Sequence, residues 1–274
     1  MTDCEDNGQL SSLLPQVEEL AREGGQEIMA IFDTVNLSVE YKQDHSPLTQ
    51  ADIASHHVIS NGLAQLATGW PIISEEAEWA SYEQRNIWQY FWLVDPMDGT
   101  KEFVRRTREF TVNIALIRNN VPVLGVVYAP ALDKMYSAFK GGHACRHEGG
   151  VISQISTKPI SGEAPRIIVS RSHEIICSRL RALMGDCEIV PVGSSLKFCL
   201  VAEGSADLYP RTGPTMEWDT AAGQCILEVA GGSVTDPHGN SLKYNKTGLR
   251  NPAFVACADS LPERKKIIRI LVRD

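Results

Sequence analysis

The apolar run Tyr90–Val94, followed directly by Asp95-Pro96-Met97-Asp98-Gly99-Thr100, is the feature that most constrains the fold. It predicts a buried strand that ends in a sharp turn carrying two carboxylates. Gly99 frees the backbone there, and Thr100 supplies a hydroxyl where a short helix can begin. Carboxylates beside exposed N–H groups suit a divalent cation and a phosphate together. Taken alone, the pair is explained equally well as an ordinary Asp-Pro and Asp-Gly turn.

Composition narrows the class of protein. The chain has 274 residues, 43% of them hydrophobic, which is enough for one large domain or two joined lobes. A net charge of -8 argues against a nucleic-acid polymer as partner, and an anionic substrate would need local cations or metal ions. The seven cysteines are scattered without a C-x-x-C pair, which predicts reduced thiols. With no apolar signal segment and no run of about 20 apolar residues, we expect a cytoplasmic protein whose membrane association is at most peripheral.

The pattern along the chain changes from helical to β-rich and then to alternating elements. Apolar spacing predicts a helix from Leu10 to Phe32, with a kink or a close crossing at Gly24-Gly25, and a second helix after Thr49. Asn119-Asn120 predicts a hairpin turn. The other predicted strands cover 70–73, 110–118, 121–129, 134–139, 166–170, 189–192, 206–209 and 254–258, and the other helices cover 173–184, 194–203 and 217–230, with a last one after Ser260.

A polar stretch with two prolines, residues 156–165, is the best candidate for a boundary within the chain. It divides a predicted N-terminal α+β lobe, residues 1–160, from a predicted C-terminal α/β lobe, residues 161–274. We expect the two lobes to form one unit, with the acidic turn in the first.

Three further acidic residues each have two explanations, a role in a functional site and an ordinary structural role. Glu75 follows the strand at Ile72-Ile73, where a solvated loop would also be acidic. Asp219 falls in the first turn of the predicted helix 217–230, where the helix dipole favours an acid. Asp52 lies three residues after Thr49, which is the spacing of a capping box. Each acid has its own ordinary explanation, so the case for a site depends on the set.

Four segments together resemble the lithium-sensitive, magnesium-dependent phosphatase superfamily that includes inositol monophosphatase. The resemblance implies an α+β / α/β fold, a layered αβαβα sandwich of the sugar-phosphatase type. Ser74 departs from the family, which usually has glycine there, and Met97 replaces its usual aliphatic residue. The matching segments, in the family's order, are Thr49-Gln50-Ala51-Asp52, Ser74-Glu75-Glu76, Asp95-Pro96-Met97-Asp98-Gly99-Thr100 and Trp218-Asp219-Thr220-Ala221-Ala222-Gly223.

Within this superfamily the chain is most similar to the CysQ-type 3'(2'),5'-bisphosphate nucleotidases. Lys101-Glu102 stands where inositol monophosphatases typically carry Thr-Asn. Further segments that resemble the nucleotidase branch are Lys42 with residues 46–52, Gly193–Lys197 and Asp207–Arg211. This similarity implies hydrolysis of the 3'-phosphate of adenosine 3',5'-bisphosphate (PAP) to AMP and phosphate. The same similarity implies that the chain also removes the 3'-phosphate of the phosphosulfate analogue, PAPS, to give APS.

The resemblance also implies a role for each matching residue. The implied Mg²⁺ ligands are Glu75, Asp95, Asp98, Asp219 and the carbonyl of Met97. The implied catalytic pair is Asp52 and Thr100, which would orient a water and accept its proton. The implied substrate contacts are Gly99, Thr100, Lys101, Lys197, Arg211 and Asp219, with the cations facing a second phosphate.

Several alternatives stay open at this point. An inositol monophosphatase, or another small sugar-phosphate phosphatase, would carry the same acidic segments. A covalent aspartyl phosphatase of the haloacid dehalogenase type uses Asp-x-Asp, in which the acids stand one residue closer than Asp95 and Asp98. A nucleotide- or metal-binding sensor without turnover would also keep the site, and Lys101 has the ordinary reading of a solvated lysine. Superfamily members are often homodimers, although no stretch of this chain marks an interface.

Overall fold

Helices and sheets stack in five layers in the computed structural model, which describes residues 3–34, 39–41, 47–158, 164–170, 178–182, 185–258 and 267. Two long helices cover one face of a seven-stranded sheet, and two shorter helices separate it from a five-stranded sheet. Helical residues 178–182 and 267 lie on the far side of the second sheet, where Leu180 and Ile267 are buried against Ile167 and Val255. This order is the predicted αβαβα sandwich.

The N-terminal helices form the first layer. Helix α1 (Asp3–Phe32) continues without interruption through Gly24-Gly25. The predicted close crossing is present, because a Cβ added to Gly24 would lie 2.8 Å from the Ile59 side chain. A two-stranded sheet, β1 (Val39–Tyr41) and β2 (Pro47–Thr49), leads into helix α2 (Gln50–Gln65). The predicted capping box of Thr49 and Asp52 forms the start of α2.

The seven-stranded sheet carries the acidic turn at one end. Its strands β3 and β4 are parallel and all its other neighbours are antiparallel. The hairpin between β5 and β6 turns at Asn119 and Asn120, both with positive φ. The strands in spatial order are β3 (Ile72–Ser74), β4 (Tyr90–Asp98), β5 (Thr111–Arg118), β6 (Val121–Ala129), β7 (Lys134–Phe139), β8 (Cys145–Glu148) and β9 (Val151–Gln154).

Strand β4 continues through the two acids instead of ending before them. Its pairing with β5 becomes irregular between Asp95 and Asp98, and the turn comes only at Gly99, whose φ is 98°. Glycine is needed there, because a Cβ would be strained at that angle and would lie 3.1 Å from the Glu109 carbonyl oxygen. The short helix α4 (Thr100–Val104) then follows; a single turn, α3 (Tyr82–Arg85), precedes β4.

The five-stranded sheet is mixed, and the two helices between the sheets pack on both. Those helices are α5 (Leu196–Ala202) and α6 (Ala221–Val229). The strands of the five-stranded sheet, in spatial order, are β11 (Glu188–Pro191), β10 (Arg166–Val169), β12 (Leu208–Arg211), β16 (Phe254–Ala258) and β14 (Gly232–Thr235). A separate short pair joins β13 (Thr215–Met216) to β15 (Arg250–Asn251).

The predicted helix 217–230 was wrong at its start, because α6 begins only at Ala221. Glu217, which is fully buried, accepts hydrogen bonds from the backbone N–H groups of Asn245 and Lys246 at 2.6 and 2.9 Å. Its carboxylate also pairs with the Lys246 ammonium at 2.7 Å. These partners hold residues 217–220 as a turn, so Asp219 precedes the helix instead of lying in its first turn.

Helix α1 begins seven residues before its predicted start at Leu10, and most other predicted elements lie within two residues of the observed ones. The elements that were not predicted are α3, β1, β2, β8, β9, β14 and the β13–β15 pair. Of the predicted helix 173–184, residues 178–182 are helical and the rest lies outside the described residues. The helix after Ser260 lies outside them except for residue 267, and so does Lys42. The division into lobes at residue 160 stays a prediction.

Among the described residues no helix is both long and apolar enough to cross a bilayer.

Candidate active site

Three carboxylates meet at the end of β4. Oxygens of Glu75, Asp95 and Asp219 all lie within 4.8 Å of one another. The parallel pairing of β3 and β4 brings Glu75 beside Asp95, and the Glu75 N–H donates to the Val94 carbonyl at 3.1 Å. Asp219 reaches the same point from the turn before α6, where its carboxylate accepts from the Met216 N–H at 2.8 Å. The structure therefore brings together three of the four predicted carboxylate ligands.

Burial and neighbouring negative charges make the ionised forms of Asp95 and Asp219 unfavourable. Burial, followed by the charges of Glu75 and Asp98, raises the pKa of Asp95 well above its ordinary value. Burial and then the charge of Asp98 likewise raise the pKa of Asp219. A divalent cation would remove this repulsion, and hard carboxylate oxygens are the ligands that Mg²⁺ prefers. The residues present therefore fit a divalent cation.

Asp98 lies outside that group of three. Its Oδ2 atom accepts a hydrogen bond of 2.6 Å from the Ser195 hydroxyl, which comes from the segment before α5. Met97, also predicted as a ligand, has a buried side chain packed among the residues under α1 and α2. Its carbonyl oxygen lies 3.5 Å from the Thr100 hydroxyl. A ligand role for Met97 would therefore use only the backbone carbonyl, which is the atom that the family resemblance implies.

Asp52 and Thr100 form the predicted pair. The Thr100 hydroxyl donates to Asp52 Oδ1 at 3.3 Å, while Asp52 Oδ2 accepts from the Thr49 N–H and hydroxyl at 2.7 and 2.8 Å. One oxygen of the Asp52 carboxylate thus caps α2, and the other faces Thr100. Burial raises the pKa of Asp52 to about 6, and the charges of Glu76 and Glu75 add to that shift. A carboxylate tuned to this range can accept a proton near neutral pH.

A cavity of about 410 Å³ opens beside the acids, and four cations belong to its wall. Asp98, Gly99 and Asp219 belong to its wall. The basic part of the wall consists of the three predicted substrate contacts and one further arginine: Lys101, Lys197, Arg211 and Arg105. An acidic protein thus presents a local basic surface next to its carboxylates.

Lys197 is buried, in contrast to the exposed Lys101. Its ammonium donates to the carbonyl oxygens of Val192 and Ser194 and lies 5.3 Å from the centre of the Tyr209 ring. An ammonium has three donors, so one remains for a ligand. Burial lowers the pKa of Lys197 to about 8, although the charge of Asp98 opposes that change.

Arg211 is held in a similar way. Its guanidinium donates to the Ser170 hydroxyl at 2.5 Å and to the carbonyl oxygens of Gly213 and Pro214 at 3.2 and 3.3 Å. These contacts fix the guanidinium at the cavity wall. A guanidinium fixed in this way is suited to bind phosphate oxygens.

Two residues of the site received no role from the sequence. Ser195 was part of a matching segment, but one serine of a Ser-Ser pair carries no signal of its own. Asn113, on β5, donates from Nδ2 to the Ser195 hydroxyl at 2.9 Å. Its position opposite Asp95 in the sheet register could have been found only once the pairing of β4 and β5 was known.

The comparisons with known proteins cover most of the chain. A model of the inositol monophosphatase family matches residues 9–269. The 3'(2'),5'-bisphosphate nucleotidase CysQ of Escherichia coli strain K12 is 48% identical over 245 residues, which are 88% of this chain and 98% of that protein. The protein of the same name from Salmonella typhimurium strain LT2 is 49% identical over 247 residues, with the same coverage of 88% and 98%.

A solved structure shows the same similarity at the level of the fold. The crystal structure of CysQ from Bacteroides thetaiotaomicron, described as a bacterial member of the inositol monophosphatase family, matches with a TM-score of 0.77 and 38% sequence identity. The match covers 89% of this chain and 96% of that one. The likeness therefore extends over both sheets.

Proposed function

This chain belongs to the inositol monophosphatase family, and we propose that it acts as a 3'(2'),5'-bisphosphate nucleotidase. The superfamily resemblance predicted from the sequence is thereby confirmed. Its substrate is a bisphosphorylated nucleotide, and the reaction removes the 3'-phosphate of PAP to give AMP and inorganic phosphate. Two proteins of that name are 48% and 49% identical to this chain over most of both lengths.

The observation that supports this substrate is the pairing of acids and cations around one cavity. Asp98 and Asp219 line this cavity together with four cations, Lys101, Arg105, Lys197 and Arg211. A monophosphate would need only the acidic part of this surface. A nucleotide with two phosphates would place one at the acids, with a cation between, and the other against the basic residues.

Glu75, Asp95, Asp98 and Asp219 would hold Mg²⁺, with the Met97 carbonyl as a further oxygen ligand. When bound, Mg²⁺ supplies a water of lowered pKa and neutralises charge on the phosphate oxygens. Thr100, within 3.3 Å of Asp52, would orient the attacking water and pass its proton to that carboxylate.

The remaining residues bind the substrate. The N–H groups of Gly99 and Thr100, at the start of α4, would hold the scissile phosphate, with Asp219 beside the sugar. The free donor of Lys197 and the exposed ammonium of Lys101 would face the second phosphate. No covalent intermediate is needed, because a water attacks the phosphorus directly.

A phosphate-release panel tests the proposal. Purified protein with Mg²⁺ is given PAP, PAPS, inositol 1-phosphate and 3'-AMP, each with and without millimolar LiCl. We expect the highest kcat/KM on PAP, release of phosphate from PAPS as APS forms, and inhibition by Li⁺. A preference for inositol 1-phosphate would overturn the nucleotidase assignment, and binding of PAP without any release would identify a sensor.

Three finer parts of the proposal go with it. Mg²⁺ is proposed as the cation because of the all-oxygen ligand set, and activity in Mg²⁺ after dialysis against EDTA tests it. Self-association as a homodimer is tested by light scattering at micromolar concentration. Cytoplasmic location, with at most peripheral membrane association, is tested by cell fractionation at low and high salt.

A further inference from the structure

The Ser195 hydroxyl joins three segments that are far apart in the chain. It lies 2.6 Å from Asp98 Oδ2 at the end of β4 and 2.7 Å from the main-chain oxygen of Asp219. It also lies 2.9 Å from Asn113 Nδ2 on β5. Ser195 and Asn113 are both almost completely buried, so water does not compete for these bonds. One hydroxyl thus contacts two proposed cation ligands, one at the end of β4 and the other in the turn before α6.

The direction of these bonds follows from what each group can do. An amide nitrogen only donates, so the Ser195 oxygen accepts from Asn113 and keeps its single proton for another partner. A carboxylate is a stronger acceptor than a peptide carbonyl, and 2.6 Å is typical of a hydroxyl donating to a charged oxygen. The proton therefore points to Asp98, and Asn113 fixes it in that direction.

This arrangement leaves Asp98 with one oxygen committed and one available. Oδ2 is held by Ser195, so Oδ1 is the atom that can face a cation between Asp98 and Asp219. Ligating carboxylates are commonly held by a hydrogen bond on their other oxygen, and loss of such an outer partner typically weakens metal affinity about 10- to 100-fold.

We propose that Ser195, oriented by Asn113, is a positioning residue for the cation that Asp98 and Asp219 bind together. The inference rests on the proposed function, because it requires a cation at those carboxylates. Ser195 touches neither the reacting atoms nor the cation in this role. It acts through the direction of the Asp98 carboxylate, which accepts the Ser195 proton.

Calorimetric titration with Mg²⁺ alone is the test, using the full chain and the variants Ser195→Ala and Asn113→Ala. We expect Ser195→Ala to weaken Mg²⁺ binding about 10- to 100-fold and Asn113→Ala to weaken it in the same direction by less. The matched control is Ser233→Ala on β14, which also loses a buried hydroxyl, but one that lies outside the site. It should bind Mg²⁺ as the unchanged protein does.

Two further readouts separate a positioning role from a purely structural one. Addition of Mg²⁺ should raise the melting temperature of Ser195→Ala less than that of the unchanged protein, whatever the two values without Mg²⁺. Its kcat on PAP should recover at high Mg²⁺, because only the affinity for the cation is reduced.

The outcomes are distinguishable. If the unchanged protein binds no Mg²⁺ and releases no phosphate, the proposed function fails. If the unchanged protein binds Mg²⁺ and both variants bind it equally tightly, only the role of Ser195 and Asn113 fails. A kcat of Ser195→Ala that stays low at saturating Mg²⁺, with unchanged affinity, would also overturn that role.

Discussion

The ring of Trp79 packs against the ring of Trp218, with centroids 5.0 Å apart and planes tilted by 55°. Trp79 also donates its indole N–H to the Ser74 carbonyl oxygen at 2.8 Å. Ser74 directly precedes Glu75, and Trp218 directly precedes Asp219. One partly exposed side chain therefore connects the two segments that carry proposed cation ligands to the end of β4.

Substitution of Trp79 should loosen that connection in two steps. Trp79→Phe keeps a ring but removes the indole N–H, and a hydrogen bond of this kind contributes about 0.5–1.5 kcal/mol. Trp79→Ala also removes the ring contact, which contributes a similar amount. At 1.4 kcal/mol for each factor of ten, we expect kcat/KM on PAP to fall by up to about tenfold in Trp79→Phe and further in Trp79→Ala. Equal kcat/KM in all three proteins would contradict the connection.

Removal of one crowded carboxylate should stabilise the protein when no cation is present. The native pKa of Asp219 is raised by burial and by the charge of Asp98, so its ionised form disfavours folding. The stability that protonated Asp219 provides is lost as pH rises from the unfolded pKa through the higher native value. Asp219→Asn removes that loss and keeps an oxygen that can accept from the Met216 N–H.

We therefore expect Asp219→Asn to melt a few degrees higher than the unchanged protein at pH 7 in EDTA, since about 1 kcal/mol shifts Tm by roughly 2–4 °C at this size. Addition of Mg²⁺ should then raise the Tm of the unchanged protein but hardly that of the variant, which should also lose almost all turnover. The control is Glu188→Gln, an exposed acid on β11. A lower Tm for Asp219→Asn in EDTA would mean that repulsion among the acids is not the dominant effect.

The acidic limb of the pH profile should report Asp52. Its pKa is raised to about 6, chiefly by burial, and a general base must be ionised to accept a proton. kcat/KM on PAP should therefore rise as pH increases through about 6 and then level off. Asp52→Asn should flatten that limb and reduce kcat by about 10²- to 10⁴-fold. A steep limb that persists in Asp52→Asn would assign the titration to another group.

The sequence was most informative where the signal is local. The strand at Tyr90–Val94, its two acids and the glycine turn were predicted from neighbouring residues, and the capping box of Thr49 and Asp52 likewise. The family resemblance then joined Glu75, Asp95 and Asp219 before any contact between them was known. What the pattern could not show is that the Asp98 carboxylate accepts a hydrogen bond from Ser195, because that partner is 97 residues away.

Errors arose where tertiary contacts override local preference. Residues 217–220 have the pattern of a helix, but the buried Glu217 carboxylate is held by Asn245 and Lys246, so the helix starts later. Strands β8 and β9 are short and partly polar, without the alternation that marks a half-buried strand. β8 depends on its pairing with β7, and β9 on its pairing with β8, and no local pattern encodes either pairing.

Lys101 should distinguish a bisphosphate from a monophosphate. It is exposed and lines the cavity, and the proposed function places it against the phosphate that is not cleaved. Lys101→Ala should therefore raise the KM for PAP, by about tenfold for the loss of one charged contact of about 1.4 kcal/mol. The KM for 3'-AMP, which lacks the second phosphate, should stay unchanged, and so should kcat on both substrates.

Lys140→Ala is the matched control for the same charge change, because Lys140 pairs with Glu228 and does not line the cavity. Steady-state phosphate release measures both constants for each protein, at one fixed ionic strength since charged contacts are screened by salt. A rise in KM that is equal for PAP and 3'-AMP would place Lys101 at the scissile phosphate instead. If neither KM changes, Lys101 is a solvated lysine, and the cavity recognises the second phosphate through its other cations, Lys197, Arg211 and Arg105.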